Sequence, residues 1–196
     1  LPVIKTPYTI TKVEVWVTNK VNNNEENRNV LALLDLGERG ENVFAQPEVI
    51  NPASFADMYP SNNTNEIYSK ILTQLPDRNF NDINKALEPW SAYNYMSGQD
   101  YEKIGSARKL RPNEYELNEQ LGYISLNSAL NADEVLAVVY EYDLGGQRYQ
   151  VGDFSTDGIT SDQFLVAKLI KGTNLTPGLP TWDLMMKNIY AIGAYQ

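Results

Sequence analysis

Oxygen-bearing side chains stand at suggestive spacing in two places. Asp77, Asn79, Asn81 and Glu88 occupy positions one, three, five and twelve of a run that imitates a calcium loop, calcium being a hard cation that prefers carboxylate and amide oxygens. Asp82 sits where such a loop needs Gly for its sharp turn, and Asn84 where an apolar residue is usual. Phe80, Ile83 and Leu87 draw a helical stripe through the same residues, so an amphipathic helix is the stronger reading. The second place is the run from Asp153 through Asp157 to Gly158, which follows a strand directly. Asp, Ser and Gly in that position ordinarily build a turn. The carboxylate pairs Asp133/Glu134 and Asp100/Glu102 raise the question of glycoside hydrolysis, which needs two carboxyls about 5–10 Å apart facing one substrate. In a chain with 25 acidic residues, neighbouring carboxylates are the normal dress of a solvated surface. No His and no Cys occur anywhere. That excludes Ser-His-Asp chemistry, His-ligated zinc, thiolate metal sites and disulfides. The expectation is a chain with no catalytic residue, no metal and no cofactor.

The residues that invite a binding role are aromatic. Trp90, Tyr93 and Tyr95 crowd a loop that begins at Pro89, and clustered Trp and Tyr can stack on sugars or anchor a protein partner. The plainer alternative is that these rings cover the end of the core. Met185 and Met186 beside Trp182 pose the same choice, with a core-facing helix preferred to a docking groove. The net charge of −9 disfavours nucleic-acid backbones and anionic membrane surfaces.

Strand signals are spread over the whole chain. Between residues 9 and 18, Val13, Val15 and Val17 share one face while Glu14, Trp16 and Thr18 share the other, which predicts a half-buried strand. An Asn- and Glu-rich loop follows at 19–29. Residues 30–36 are apolar nearly throughout, as a strand covered on both faces must be. Residues 37–63 carry three prolines and read as mostly irregular. A helix is predicted over 64–75, with Thr64 as its cap and Ile67, Ile71 and Leu75 on one stripe. A second fits 79–87. Residues 100–110 are ambiguous because Gly105-Ser106 interrupts a helical spacing, and an extended segment is preferred.

The most telling stretch is 121–154. Its first run closes on Ile124 and Leu126, and residues 135–142 are β-branched and aromatic. Gly145-Gly146 then supplies a turn that tolerates positive φ, so 135–143 and 147–154 are predicted to pair as an antiparallel hairpin. Residues 164–170 form a further strand. Thr181 is expected to cap a last helix with Trp182, Met185, Met186 and Ile189 on one face. Strands from both ends of the chain with helices between them indicate an α+β fold, a mainly antiparallel β-sheet covered by a few helices. One domain over 1–196 is the simpler division. No apolar run approaches the roughly 18 residues of a membrane-spanning helix, and the opening at Leu1 suggests a soluble fragment of a longer protein. The acceptor patterns at Asn62 and Asn174 are expected to stay unmodified.

Five phrases in this order carry a family resemblance: VEVWVTNK at 13–20, NRNVLALLDLGE at 27–38, DYEKIGSARKL at 100–110, the block at 121–154, and LIKGTN with WDLMMKNIYAIGAYQ across 169–196. Together they resemble the SprA family, also called Sov, the very large outer-membrane proteins of gliding bacteria and their relatives. Residues 43–95 look least like it. The resemblance implies a domain of the type IX secretion translocon, tied to protein transport and gliding motility and located extracytoplasmically at the outer membrane or cell surface. It implies secreted cargo, companion secretion components and the rest of the parent barrel as partners, and no enzymatic activity. A free-standing surface module for carbohydrate or protein ligands, using Trp90, Tyr93 and Tyr95, is the rival expectation.

Overall fold

The run at 30–36, apolar except for Asp35, begins in a strand with protein on both sides. In the computed structural model, which describes residues 7–20, 26–51, 58–119 and 121–185, β2 (Asn27–Leu33) sends Val30 and Ala32 to one face and Leu31 and Leu33 to the other, all fully buried. The remaining strands are β1 (Tyr8–Val17), β3 (Tyr101–Lys109), β4 (Tyr115–Asn118), β5 (Tyr123–Leu126), β6 (Leu136–Leu144), β7 (Gln147–Val151) and β8 (Phe164–Lys171). Among the described residues three short α-helices accompany them: α1 (Ile67–Gln74), α2 (Ile83–Leu87) and α3 (Pro180–Leu184). The architecture is α+β with a mostly antiparallel sheet, as expected, and β2–β8 is the parallel pair among the described strands.

The main sheet runs β1-β3-β2-β8-β6-β7, and β6 also pairs along the length of β1, from Tyr8↔Leu144 to Val17↔Leu136. That pairing closes β1, β3, β2, β8 and β6 into a ring. On its other edge β6 is shared, with β8 taking Leu136–Val138 and β7 taking Tyr140–Leu144. A ring of so few strands leaves a narrow interior. Ala32, Ala107, Ala137 and Ala167 occupy it alongside Val30, Ile104 and Leu165, with Trp16 as the large filler. The expected half-buried character of 9–18 is corrected here. Closure of the ring turns the Glu14/Trp16 face inward, and Trp16 is 0% exposed.

Both outer faces of the ring are covered. On one, Leu31, Leu33, Phe164 and Val166 pack against Ile67, Ile71, Ile83 and Leu87 of the helices, each full burial contributing roughly 1.5–3 kcal/mol. On the other, Val15, Val17, Leu136 and Val138 meet Ile124 and Leu126 of the β4–β5 ribbon.

Local structure departs from expectation where side chains find better partners. α1 begins at Ile67, not Thr64. The Thr64 hydroxyl accepts from Ser61 N (2.6 Å) and donates to Tyr59 O (2.7 Å), while Asn65 Oδ1 accepts from Ile67 N (3.0 Å). The second helix is split into a 3-10 turn (Phe80–Asp82) and α2, and a further 3-10 stretch (Glu88–Tyr93) replaces the expected aromatic loop. Residues 100–110 are extended as preferred, with Ser106 at φ 51 where the β2–β3 register shifts. Residues 27–29, expected in a loop, already belong to β2.

The predicted hairpin forms, pairing Tyr140↔Val151 through Leu144↔Gln147, with Gly145 and Gly146 at φ 62 and 89. Its second strand ends at Val151 rather than 154, because Gly152 turns the chain away at φ 86. In α3 the residue before the first turn is Leu179 and Thr181 is buried within the helix. Met186 and Ile189 lie outside the described residues. Among the described residues no helix is long and apolar enough to cross a membrane.

Candidate binding groove

The β4–β5 ribbon covers its face of the ring incompletely. Between β5 and the outer surface of β1, β6 and β8 an open groove of about 1110 Å³ remains, just above the usual range for ligand-sized cavities. Val13, Leu136, Val138 and Ile170 form an apolar floor, Ile124, Leu126 and Leu130 one wall, and Leu184 with Met185 a boundary on the side of α3. Residues 123 to 126 border it in unbroken succession. Side chains of a strand alternate between faces, so β5 meets the groove with its backbone edge as well as with one face.

Tyrosines cluster at one margin. Tyr142 and Tyr149 are direct cross-strand partners with rings 5.3 Å apart and 18° from parallel. Tyr8 packs edge-on against Tyr142 at 5.7 Å, Tyr59 edge-on against Tyr149 at 5.6 Å, and Tyr140 stacks beside Tyr142. Tyr142 is nearly buried and donates to Pro60 O (2.8 Å), whereas Tyr8 is 40% exposed. Burial, reinforced by the Glu38 carboxylate, pushes the Tyr140 phenol well above its ordinary range.

Two lysines border the groove and neither is free. Lys168 Nζ donates to Leu34 O and to Glu38 Oε1, the latter at 2.5 Å. Burial lowers its pKa while Glu38 works in the opposite direction. Lys171 Nζ donates to Asn131 O and Ala132 O (3.1 Å each) and to Glu134 O (2.5 Å), which pins the turn before β6 to β8. Asp35, just behind Lys168, has its pKa raised by burial although it accepts from the backbone N–H groups of Phe44 and Ala45 at 2.9 Å.

The aromatic residues singled out in the sequence lie elsewhere. Trp90 and Tyr95 are 7% and 3% exposed and pack into the cluster beneath the helices. Trp90 meets Tyr95 edge-on at 5.3 Å, and Tyr95 stacks on Tyr101 at 5.5 Å. Only Tyr93 of the three is exposed, at 42%. Trp90 and Tyr95 thus lie as a lid on the core, because helical geometry after Leu87 rolls Trp90 inward onto the ring, and Tyr93 is the member of the three left at the surface.

The acidic sequences serve the fold. Around Asp77 the chain is helical from Phe80, and Asn79 Oδ1 accepts from Asn81 N at 3.0 Å. Asp153 is buried and accepts from Tyr68 Oη (2.5 Å), Arg78 Nη1 (2.6 Å) and Val166 N (2.8 Å). Asp157 Oδ2 accepts from Phe154 N and Gln150 Nε2. Asp100 accepts from Met96 N, while Glu102 accepts from Thr173 N and its hydroxyl. Asp133 pairs with Lys20, and Glu134 accepts from Asn131 N. Among the described residues no three His, Cys, Asp or Glu side chains group as metal ligands.

The groove escaped the sequence reading because its walls come from distant segments. Two signals did exist. Tyr140 and Tyr142 are two apart on a strand, hence on one face, and Tyr149 is placed opposite by the Gly145-Gly146 turn. From residue 112 to residue 147 the chain also holds seven carboxylates (Glu114, Glu116, Glu119, Asp133, Glu134, Glu141, Asp143) and no Lys or Arg, and this is the stretch that builds β4, β5 and β6. Comparison with known proteins finds no family model that matches the chain and no curated protein that matches it.

Proposed function

We propose that this chain is a non-catalytic binding module of a SprA-like outer-membrane translocon, acting on the extracytoplasmic side in type IX protein secretion and, where the organism glides, in gliding motility. The observation that carries the reading is the apolar groove of about 1110 Å³ between the β4–β5 ribbon and the ring. A covered ring leaves such a surface open for a partner that supplies the missing apolar contacts. The family-like phrases add support through where they fall. They contain half of β1, all of β2, β3, β5, β6 and β7, and the end of β8, whereas the least family-like stretch, 43–95, contains α1 and α2 on another face. The segments that resemble the family thus supply much of the ring and the β5 wall of the groove. The absence of His and Cys favours recognition over chemistry. Partners would be secreted cargo, companion secretion components or another part of the parent barrel.

The test is Ile124→Arg introduced into the parent protein, with outer-membrane level and thermal stability of the purified chain measured alongside. Reduced appearance of secreted cargo at normal protein level supports the reading. Normal secretion by a folded Ile124→Arg protein overturns it. The exposed ring of Tyr8 and the tyrosines behind it favour a second reading, a free-standing surface module for carbohydrate, which binding of neutral oligosaccharides abolished by Tyr8→Ala would support.

A further inference from the structure

The β4–β5 ribbon is a two-stranded sheet whose register decides which backbone groups are free. Asn127 N donates to Glu114 O at 2.9 Å. Antiparallel ladders alternate bonded and non-bonded pairs, so the pairs Glu116↔Ser125 and Asn118↔Tyr123 are bonded, and Leu117↔Ile124 and Tyr115↔Leu126 are not. The N–H and C=O groups of Ile124 and Leu126 accordingly point away from β4, on the edge that borders the groove. No backbone hydrogen bond to Ile124 or Leu126 occurs outside the ribbon among the described residues. An unpaired strand edge next to an apolar floor is a template for one more strand.

Charge narrows the occupant. The seven carboxylates of residues 112–147 meet no Lys or Arg within that stretch. Glu114 is neutralised by Arg108 at 2.7 Å and Asp133 by Lys20, and Glu141 has Arg148 at 3.9 Å. Glu116 and Glu119, both exposed on the ribbon, form no ion pair among the described residues, and Glu119 borders the groove. The cations at the floor are already engaged, Lys168 by Glu38 and Lys171 by backbone carbonyls. The charges lining the groove itself balance, Glu38 and Glu119 against Lys168 and Lys171, so the negative excess lies on the ribbon in Glu116 and Glu119, on a chain of net charge −9, and favours basic over acidic segments there.

Building on the binding-module reading, we propose that the groove takes an extended polypeptide strand, apolar at alternate residues and flanked by lysine or arginine. The strand adds to the free edge of β5. Its backbone bonds the outward groups of Ile124 and Leu126, alternate side chains rest on Val13, Val138 and Ile170, and its basic ends lie near Glu116 and Glu119.

Titration of the full chain by fluorescence polarisation tests this with three labelled peptides. The first alternates Val and Thr and carries a pair of lysines at each end. The second replaces those lysines with glutamates. The third keeps the lysines but has alternate backbone nitrogens methylated. The first is expected to bind about tenfold or more tightly than either of the others at low salt, with the margin over the glutamate peptide shrinking as salt rises. The exposed double substitution Glu116→Lys with Glu119→Lys is expected to abolish or reverse the preference for lysine ends. Equal binding of the first two peptides overturns the charge assignment, undiminished binding of the methylated peptide overturns strand addition, and no binding of any peptide overturns both. If any of these results accompanies a secretion defect in Ile124→Arg, the binding module survives and only the nature of its ligand is wrong.

Discussion

Lys168 of β8 reaches across to Glu38, just beyond β2, and the two side chains meet at 2.5 Å beneath the groove while the same ammonium caps Leu34 O. The parallel β2–β8 pair, the only parallel junction of the ring among the described strands, is thereby held by a charge pair at one end. Glu38 keeps 27% of its side chain exposed and Lys168 only 7%, so the lysine bears most of the desolvation.

Removing the carboxylate should therefore be worse than removing both charges. Glu38→Ala is expected to cost about 2–4 kcal/mol because it strands a buried ammonium, whereas Glu38→Ala combined with Lys168→Met should recover a large part of that loss. Urea melts of the two single variants and the double variant measure the coupling. Additive losses would show that the pair does not act as a unit.

Asp100 should make stability depend on pH. Burial raises its pKa to about 6, with Asp35 adding to the rise and the Met96 N–H opposing it. A folded-state pKa above the unfolded value means that the native chain holds the proton more tightly. This contribution is fully present below the unfolded pKa of about 4 and is lost as pH rises through about 6. The melting temperature of Asp100→Asn relative to the parent chain should rise between those limits, and a constant difference across them would refute the assignment.

Two sets of glycines should separate conformational strain from collision. A Cβ on Gly145 or Gly146 meets nothing within 4 Å, so Gly145→Ala or Gly146→Ala bears only the positive-φ cost of about 1–2 kcal/mol. A Cβ on Gly152 comes to 2.9 Å from both Val139 Cγ2 and Val166 O. Gly152→Ala should cost about 3 kcal/mol or more, and chemical denaturation of the three variants gives the order directly.

Trp90 and Tyr93, three residues apart, should respond in opposite ways to truncation. Trp90→Ala opens a cavity under the helices and should lose about 3–5 kcal/mol. Tyr93→Ala, at a ring 42% exposed, should stay within about 0.5 kcal/mol. Equal effects on stability would contradict the core-lid assignment of this aromatic group.

Much of the secondary structure was written locally. The valines at 13, 15 and 17, the apolar run at 30–36 and Gly145-Gly146 between two β-rich runs each specify an element through backbone preference and side-chain period. The lack of His and Cys restricts the chemistry without reference to any contact. Which face of a strand becomes interior is another matter. A period of two distinguishes the faces of β1 but does not say that both will be covered, and that was decided by Tyr8↔Leu144 and its neighbours pairing across most of the chain. Closure of the ring turned Trp16 into its filler, and the 3-10 stretch after α2 rolled Trp90 onto the core. The groove exists because β5 and β8 approach the same face from distant parts of the sequence, and contacts of such separation depend on the packing of the whole ring rather than on any local preference.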